Sequence, residues 1–231
     1  KQLDAFVYAG NTGALIVAAR LFLDMLPRIT RPALLATLPT KKGSVAVIDV
    51  GGNVSCKPLH LVQFAFIGAA YQSCCHGIDV SRVGLLNIGI ESIKGTPEVR
   101  EAYKKLFQLS KEPGAIPLNF VGNIEGREVF QGGVDVVVTD GFSGNVLLKT
   151  AEGISDYLFE ELKNKASKWG EFAPAELESF HKRFSYAEYP GAILCGVDGV
   201  VIKCHGESSV PALYNGILGA ARLVKTQFVS K

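Results

Sequence analysis

Val45-Ala46-Val47-Ile48-Asp49 runs directly into Val50-Gly51-Gly52-Asn53, and Pro58 then opens a long apolar stretch that reaches Cys75. A β-branched run, a glycine turn and a helix with proline in its first turn make a strand–turn–helix unit. The strand shows no polar alternation, so both of its faces are buried. That is the habit of a parallel sheet held between two helical layers.

The same unit recurs on either side. Toward the N-terminus, Ala5–Ala9 reads as a strand, Gly10-Asn11-Thr12-Gly13 as a turn and residues 14–26 as a helix. That helix is apolar nearly all round, so it is expected to be well buried. Toward the C-terminus, residues 82–88 read as a strand, followed by Gly89, a polar loop ending in Lys94-Gly95, and a charged helix over residues 97–110. Further strands are expected at 118–121, 134–139 and Val200–Cys204, with a last helix over residues 210–228. Right-handed crossovers place the helices on both faces of the sheet.

One region breaks the alternation. Residues 154–189 are helical and charged and contain no strand. Ile154, Leu158, Leu162 and Ala166 share a face at i, i+4 spacing, and a second helix over residues 174–184 follows the Trp169-Gly170 break. A helical hairpin standing on the body is expected. Such a hairpin serves a subunit interface more often than chemistry, here burying Leu158, Leu162 and Trp169. The sequence therefore reads as a single α/β domain over 1–231, a three-layer α/β/α sandwich with a mostly parallel sheet and an inserted hairpin.

Composition narrows the functional classes. The net charge is +2, and the basic residues are scattered rather than striped, so nucleic acid is not an expected partner. The cysteines at 56, 74, 75, 195 and 204 include no pair with metal spacing and read as free thiols in a reducing compartment. The most apolar stretch, residues 14–26, is broken by Arg20 and Asp24 and is too short to span a membrane. A cytoplasmic location is expected. There is no G-x-S-x-G elbow, P-loop lysine or G-x-G-x-x-G fingerprint, and no His/Asp/Glu cluster with metal spacing. A reaction needing neither metal nor covalent nucleophile fits best, and no cofactor is expected.

Five polar or glycine-rich segments each follow an expected strand: Gly10-Asn11-Thr12-Gly13, Gly51-Gly52-Asn53, the loop closing at Lys94-Gly95, Asp140-Gly141-Phe142-Ser143-Gly144-Asn145, and His205-Gly206-Glu207-Ser208-Ser209. In a parallel sheet these would converge on one edge, outside the strand ends, as one site. Three of them lead into helices, whose N-terminal N–H groups suit phosphate or simply need a cap. Lys94 could supply a point charge beside a glycine, or be a solvated lysine. Asn145 could donate to a developing oxyanion, or cap the helix that follows. His205 is a strand-end base or a structural histidine. His60, His76 and His181 have no partner that sequence can name.

In these same positions the chain resembles the PlsX-type phosphate acyltransferases. The resemblance is carried by Tyr8-Ala9-Gly10-Asn11-Thr12-Gly13-Ala14-Leu15, Arg31-Pro32-Ala33-Leu34, Leu38-Pro39-Thr40, Asp49-Val50-Gly51-Gly52-Asn53, Val83-Gly84-Leu85-Leu86-Asn87-Ile88-Gly89, Lys94-Gly95, Phe120-Val121-Gly122-Asn123-Ile124-Glu125 and His205-Gly206, in order along essentially the whole chain. It implies an isocitrate dehydrogenase-like core, a homodimer, and transfer of a fatty acyl group from acyl carrier protein to inorganic phosphate. It further implies that Lys94 and Asn145 are catalytic. Gly10, Asn11, Thr12, Gly13, Gly51, Gly52, Asn53, Asp140, Ser143, His205 and Gly206 would line the substrate and phosphate site. Weak peripheral membrane association through the hairpin is implied too, although the hairpin is short and acidic. Family members carry an earlier α/β segment, so the chain is expected to be N-terminally incomplete. Two other readings fit the residues: a phosphotransacetylase-like enzyme using coenzyme A thioesters, and a non-catalytic anion-binding module.

Overall fold

The strand–turn–helix unit folds as its sequence dictates. In the computed structural model, which describes residues 3–112, 118–169 and 191–230, the strand spans Gly43–Ile48 (β3) and the helix Pro58–His76 (α2). Pro58 occupies the first turn, and Gly77, at φ 68°, ends the helix in the left-handed region. A Cβ on Gly68 would stand 2.4 Å from Cγ1 of Val136, so glycine is what lets α2 lie this close to the sheet.

Around this unit run β1 (Ala5–Ala9), α1 (Thr12–Phe22), β2 (Ala33–Thr40), β4 (Ser81–Leu86), α3 (Pro97–Leu109), β5 (Leu118–Ile124), β6 (Val136–Val138), α4 (Gly141–Trp169), β7 (Ala192–Cys195), β8 (Val200–Cys204) and α5 (Val210–Lys225). A short 3-10 helix, Gly126–Gln131, joins β5 to β6. The eight strands form one sheet in the order β1-β8-β7-β2-β3-β6-β4-β5. Two cores flank it, as a three-layer sandwich requires. One gathers Leu35, Ile48, Phe64, Leu85, Leu106 and Leu223 beneath α2, α3 and α5. The other gathers Leu15, Leu34, Leu38, Val47 and Val137, with Leu147 and Leu148 of α4 packed on it.

Parallel pairings predominate, with β1–β8, β3–β6, β4–β6 and β4–β5 parallel. The other three, β2–β3, β2–β7 and β7–β8, are antiparallel. Neither β2 nor β7 is expected from the sequence, and together they reverse the direction of half the sheet. β1, β8 and β2 run one way, and β7, β3, β6, β4 and β5 run the other. The five polar segments consequently do not share one carboxyl edge. Those after β3, β4 and β6 lie on one edge, and those after β1 and β8 lie on the opposite one.

Two expectations about helices need correction. α1 ends at Phe22, and it buries only Leu15 and Ala19; Val17, Leu21 and Phe22 are exposed. Its apolar circumference therefore exceeds what this chain covers. The helix expected from residue 154 begins at Gly141 and runs unbroken to Trp169, because nothing between Asn145 and Ile154 interrupts its i→i−4 bonding. The second arm, residues 174–184, and His181 lie outside the described residues. Ile154, Leu158 and Leu162 are exposed on α4.

Candidate functional site

Asp49 organises the first edge. Its carboxylate is wholly buried. It accepts hydrogen bonds from the N–H groups of Leu34 (3.0 Å), Gly51 (3.1 Å), Gly52 (2.8 Å) and Asn53 (2.7 Å), and from Asn53 Nδ2 (2.8 Å). Burial pushes this carboxyl up from its ordinary pKa, and the hydrogen bonds from Gly52, Leu34, Asn53 and Gly51 pull it back. The anion that the Gly51-Gly52-Asn53 turn cradles is thus the chain's own. Those three N–H groups are not open donors for phosphate, contrary to the sequence expectation, and the turn acts as a scaffold.

That scaffold sets the start of α4. Asn53 Nδ2 also donates to the carbonyl of Pro32 at 2.8 Å, and Gly141 N donates to the carbonyl of Asn53 at 2.7 Å. Asp140 caps the helix, accepting from Ser143 N at 2.7 Å and from Ser143 Oγ at 3.3 Å. Asp140 and Ser143 therefore spend their polar atoms on each other. Asn145 is past the cap, inside the first turns of α4, and is exposed. Its amide lies beside Gly51, within 3.8 Å of where a Cβ on that glycine would stand. Helix capping does not explain Asn145.

The Lys94 loop lies on the same edge, after β4, which neighbours β6 in the sheet. Asn87 Nδ2 donates to the Lys94 carbonyl at 3.0 Å, and Asn123 Nδ2 donates to the Glu91 carbonyl at 2.8 Å. The backbone is tied down, and the Lys94 side chain is exposed.

On the opposite edge, Asn11 caps α1, accepting from Ala14 N at 2.9 Å. Ser209 caps α5, accepting from Ala212 N at 3.4 Å. Gly10 and Gly13 shape the first turn and Gly206 the second. Here three residues unremarked in the sequence join His205. Lys149 Nζ lies 2.7 Å from Nε2 of His205 and 2.7 Å from Oε2 of Glu152, whose other oxygen is 3.7 Å from His205. Burial alone would raise the Glu152 carboxyl, but the bonds to His205 and Lys149 outweigh it and hold it below its usual range. Burial lowers the Lys203 ammonium; Cys204 opposes that shift and nearby Lys149 adds to it. The signal that could have found Lys203 is a lysine inside the otherwise apolar strand Val200–Cys204. Lys149 and Glu152, i, i+3 on a helix, look like an ordinary surface pair.

A cleft of about 470 Å³ joins the two edges along one face of the sheet. Leu34, Ala36 and Leu38, alternate residues of β2, form one wall, and Leu147, Ala151, Ile154 and Leu158 of α4 form the other. Phe130 lines it too, its carbonyl accepting from Lys41 N beyond the end of β2. Its polar groups include those of Thr12, Asn145, Lys149, Glu152, Lys203, His205 and Ser208. Of the residues singled out in the sequence, the cleft brings together Thr12, Asn145 and His205. It does not include Lys94, Gly51, Gly52, Asn53, Asp140 or Ser143. The volume lies within the ~300–1,000 Å³ of small-molecule sites, and an apolar groove with few polar groups is their usual make-up.

The sequence matches the family model described as fatty acid synthesis protein over residues 1–231. A phosphate acyltransferase of Chlamydia pneumoniae is 41% identical over 230 residues, covering 100% of this chain and 67% of the relative. One from Thermodesulfovibrio yellowstonii is 43% identical over 237 residues, covering 100% of this chain and 66% of its own length. The chain thus spans about two thirds of the length of these relatives. In structure it is similar to a phosphotransacetylase from Streptococcus pyogenes (TM-score 0.64, 17% identity, 100% of this chain and 64% of that one). It is also similar to the EutD phosphotransacetylase from Staphylococcus aureus (TM-score 0.62, 16% identity, 97% and 64%). At these identities the likeness is one of fold.

Proposed function

This chain belongs to the fatty acid synthesis protein family of phosphate acyltransferases, and on that footing we propose that it transfers a fatty acyl group from an acyl carrier protein thioester to inorganic phosphate, giving an acyl phosphate for phospholipid synthesis. The observation that carries the reading is the apolar cleft with Asn145, Lys149 and His205 along it. An acyl chain needs such a wall, and phosphate needs such cations.

In the reaction a phosphate oxygen attacks the thioester carbonyl, the tetrahedral oxyanion collapses, and the C–S bond breaks. The phosphate proton passes to the departing sulfur, leaving acyl phosphate and free carrier thiol. Phosphate is itself the nucleophile, so the step as written draws on no cofactor. The protein orients two substrates and stabilises charge. Asn145 would donate its amide to the carbonyl oxygen, and Lys94, from the neighbouring loop, would draw phosphate in or stabilise the oxyanion. Thr12, His205 and the turns at Gly10 and Gly206 would border the phosphate. The exposed Ile154, Tyr157, Leu158 and Leu162 of α4 would be covered in a homodimer acting in the cytoplasm.

The test is to supply acyl groups on carrier protein and on coenzyme A at equal phosphate and to measure acyl phosphate. Formation from the carrier thioester supports the reading. Turnover from coenzyme A alone would make this a phosphotransacetylase-like enzyme, and phosphate binding with no turnover would leave an anion-binding module.

A further inference from the structure

The loop between β4 and α3 is largely exposed, yet three of its carbonyls accept from side chains of the body. Asn123 of β5 donates to the Glu91 carbonyl, Asn87 at the end of β4 donates to that of Lys94, and Arg100 of α3 donates to that of Gly95 at 2.8 Å. Water can serve the carbonyls of an exposed loop, so what these donors add is a fixed place. They come from separate elements, which ties the loop to the sheet and not merely to itself. Glycine lets the parts close up. Gly95 has φ 88°, and a Cβ there would stand 2.6 Å from Asn87 Oδ1. A Cβ on Gly89 would stand 3.3 Å from Lys94 Cγ, so the Lys94 stem lies along bare backbone.

Asn123 holds its place against stability. It is 6% exposed, and its buried Oδ1 meets no donor among the described residues. A buried acceptor left unpaired destabilises, and an apolar side chain of similar shape would carry none. The Glu91 carbonyl also accepts from Lys94 N at 3.1 Å, so it does not depend on Asn123 for a partner. What Asn123 adds is a fixed loop.

We propose that Asn87 and Asn123 are positioning residues for the acyl transfer: they hold loop 87–95 so that the Lys94 ammonium keeps one place relative to Asn145. A lysine is a point charge on a flexible stem, and it stabilises a developing charge well only where its root is fixed. Both amides act through Lys94 and not on substrate. Their part in catalysis rests on the acyl-transfer reading, while the clamp itself rests on geometry.

The test is a double-mutant cycle with Lys94→Ala. Asn123→Leu removes the donor and the unpaired oxygen together, and Asn87→Ala removes the second donor. Each should lower turnover about fivefold, less than Lys94→Ala does. Each should also act on the same parameter, kcat or KM for phosphate, that Lys94→Ala changes. In the Lys94→Ala background each should change turnover less than about twofold. The melting temperature of Asn123→Leu should stay level or rise, while its Lys94 N–H should exchange at least about tenfold faster. Full additivity with Lys94→Ala overturns the proposal, because a residue that only supports the fold weakens both backgrounds alike. Unchanged turnover in both single variants overturns it too, as does a lower melting temperature with turnover per folded molecule intact. If the unmodified protein forms no acyl phosphate from either donor, the acyl-transfer reading fails by itself. Exchange at Lys94 N–H then decides the clamp, which falls if Asn123→Leu leaves that rate unchanged.

Discussion

A Cβ on Gly144 would stand 1.9 Å from the carbonyl oxygen of Asp49. The first turn of α4 is therefore pressed onto the end of β3 with backbone against backbone, and no side-chain rotation relieves an added methyl group. Gly144→Ala should force the helix off the sheet at a cost of about 3 kcal/mol, read as a lower denaturant midpoint. Gly153, in the same helix, has open space around its Cβ position, so Gly153→Ala should stabilise by about 0.5–1 kcal/mol. Equal effects of the two would refute the close approach.

Asn145→Ala should cut acyl-phosphate formation roughly 100- to 1,000-fold if its amide donates to the oxyanion, with the melting temperature nearly unchanged, since Asp140 and not Asn145 caps α4. Lys94→Ala should lower turnover at least about tenfold, or about 1.4 kcal/mol of transition-state stabilisation. Its backbone is held by Asn87, so its stability should hold as well. Full activity in either variant removes that residue from the mechanism.

Asp49→Asn replaces one acceptor oxygen with a donor. Whichever way the amide turns, at least two of the N–H groups now facing Asp49 lose their acceptor in a buried place. A loss of about 3 kcal/mol is expected, together with faster amide exchange at Gly51, Gly52 and Asn53. Unchanged exchange there would show that the carboxylate does not hold the turn.

The Arg82–Asp135 pair gives a pH signature. Arg82 meets Asp135 through Nε at 3.0 Å and Nη2 at 2.7 Å, and its N–H donates to the same carboxylate at 2.8 Å. Burial alone would raise the Asp135 carboxyl, but Arg82 outweighs it, and the net shift is downward. A carboxyl lowered in the folded state contributes stability above its unfolded pKa of about 3.9 and loses it as pH falls through the folded value. Asp135→Asn should therefore destabilise by about 1–2 kcal/mol at neutral pH, discounted because Arg82 is partly solvated. It should differ progressively less from the parent protein as pH falls below about 4, the unfolded pKa. A constant difference across that range would mean that the pair contributes only through packing.

The parallel half of the fold was legible because its strands are β-branched and end in glycine turns. β2 and β7 were not. Ala33–Thr40 carries Pro39, which demotes a strand in sequence; in the sheet Pro39 faces Ser44 beside the turn of the β2–β3 hairpin, beyond the β2–β7 pairing, where its missing N–H costs little. Ala192–Cys195 is four residues between Gly191 and Gly196, too short to show a period. Overlooking two antiparallel strands makes every polar turn seem to face one way. The glycine turn at 51–53 was recognisable as an anion cradle, but that Asp49 fills it depends on backbone path. Lys149 and Glu152 come from α4 and His205 from the end of β8, and only the packing of that helix against the sheet makes them neighbours.

α4 passes from one edge of the sheet to the other. Asn145 and Lys149 are consecutive on its surface, so their spacing along the axis is ~6 Å by helical rise alone. The turns on the two edges can each shift without altering that interval. The helix is in effect a gauge bar: it fixes the gap between the group that meets a carbonyl and the group that meets an anion. Lengthening or shortening it by one residue in this stretch would also rotate one of them out of the cleft by ~100°.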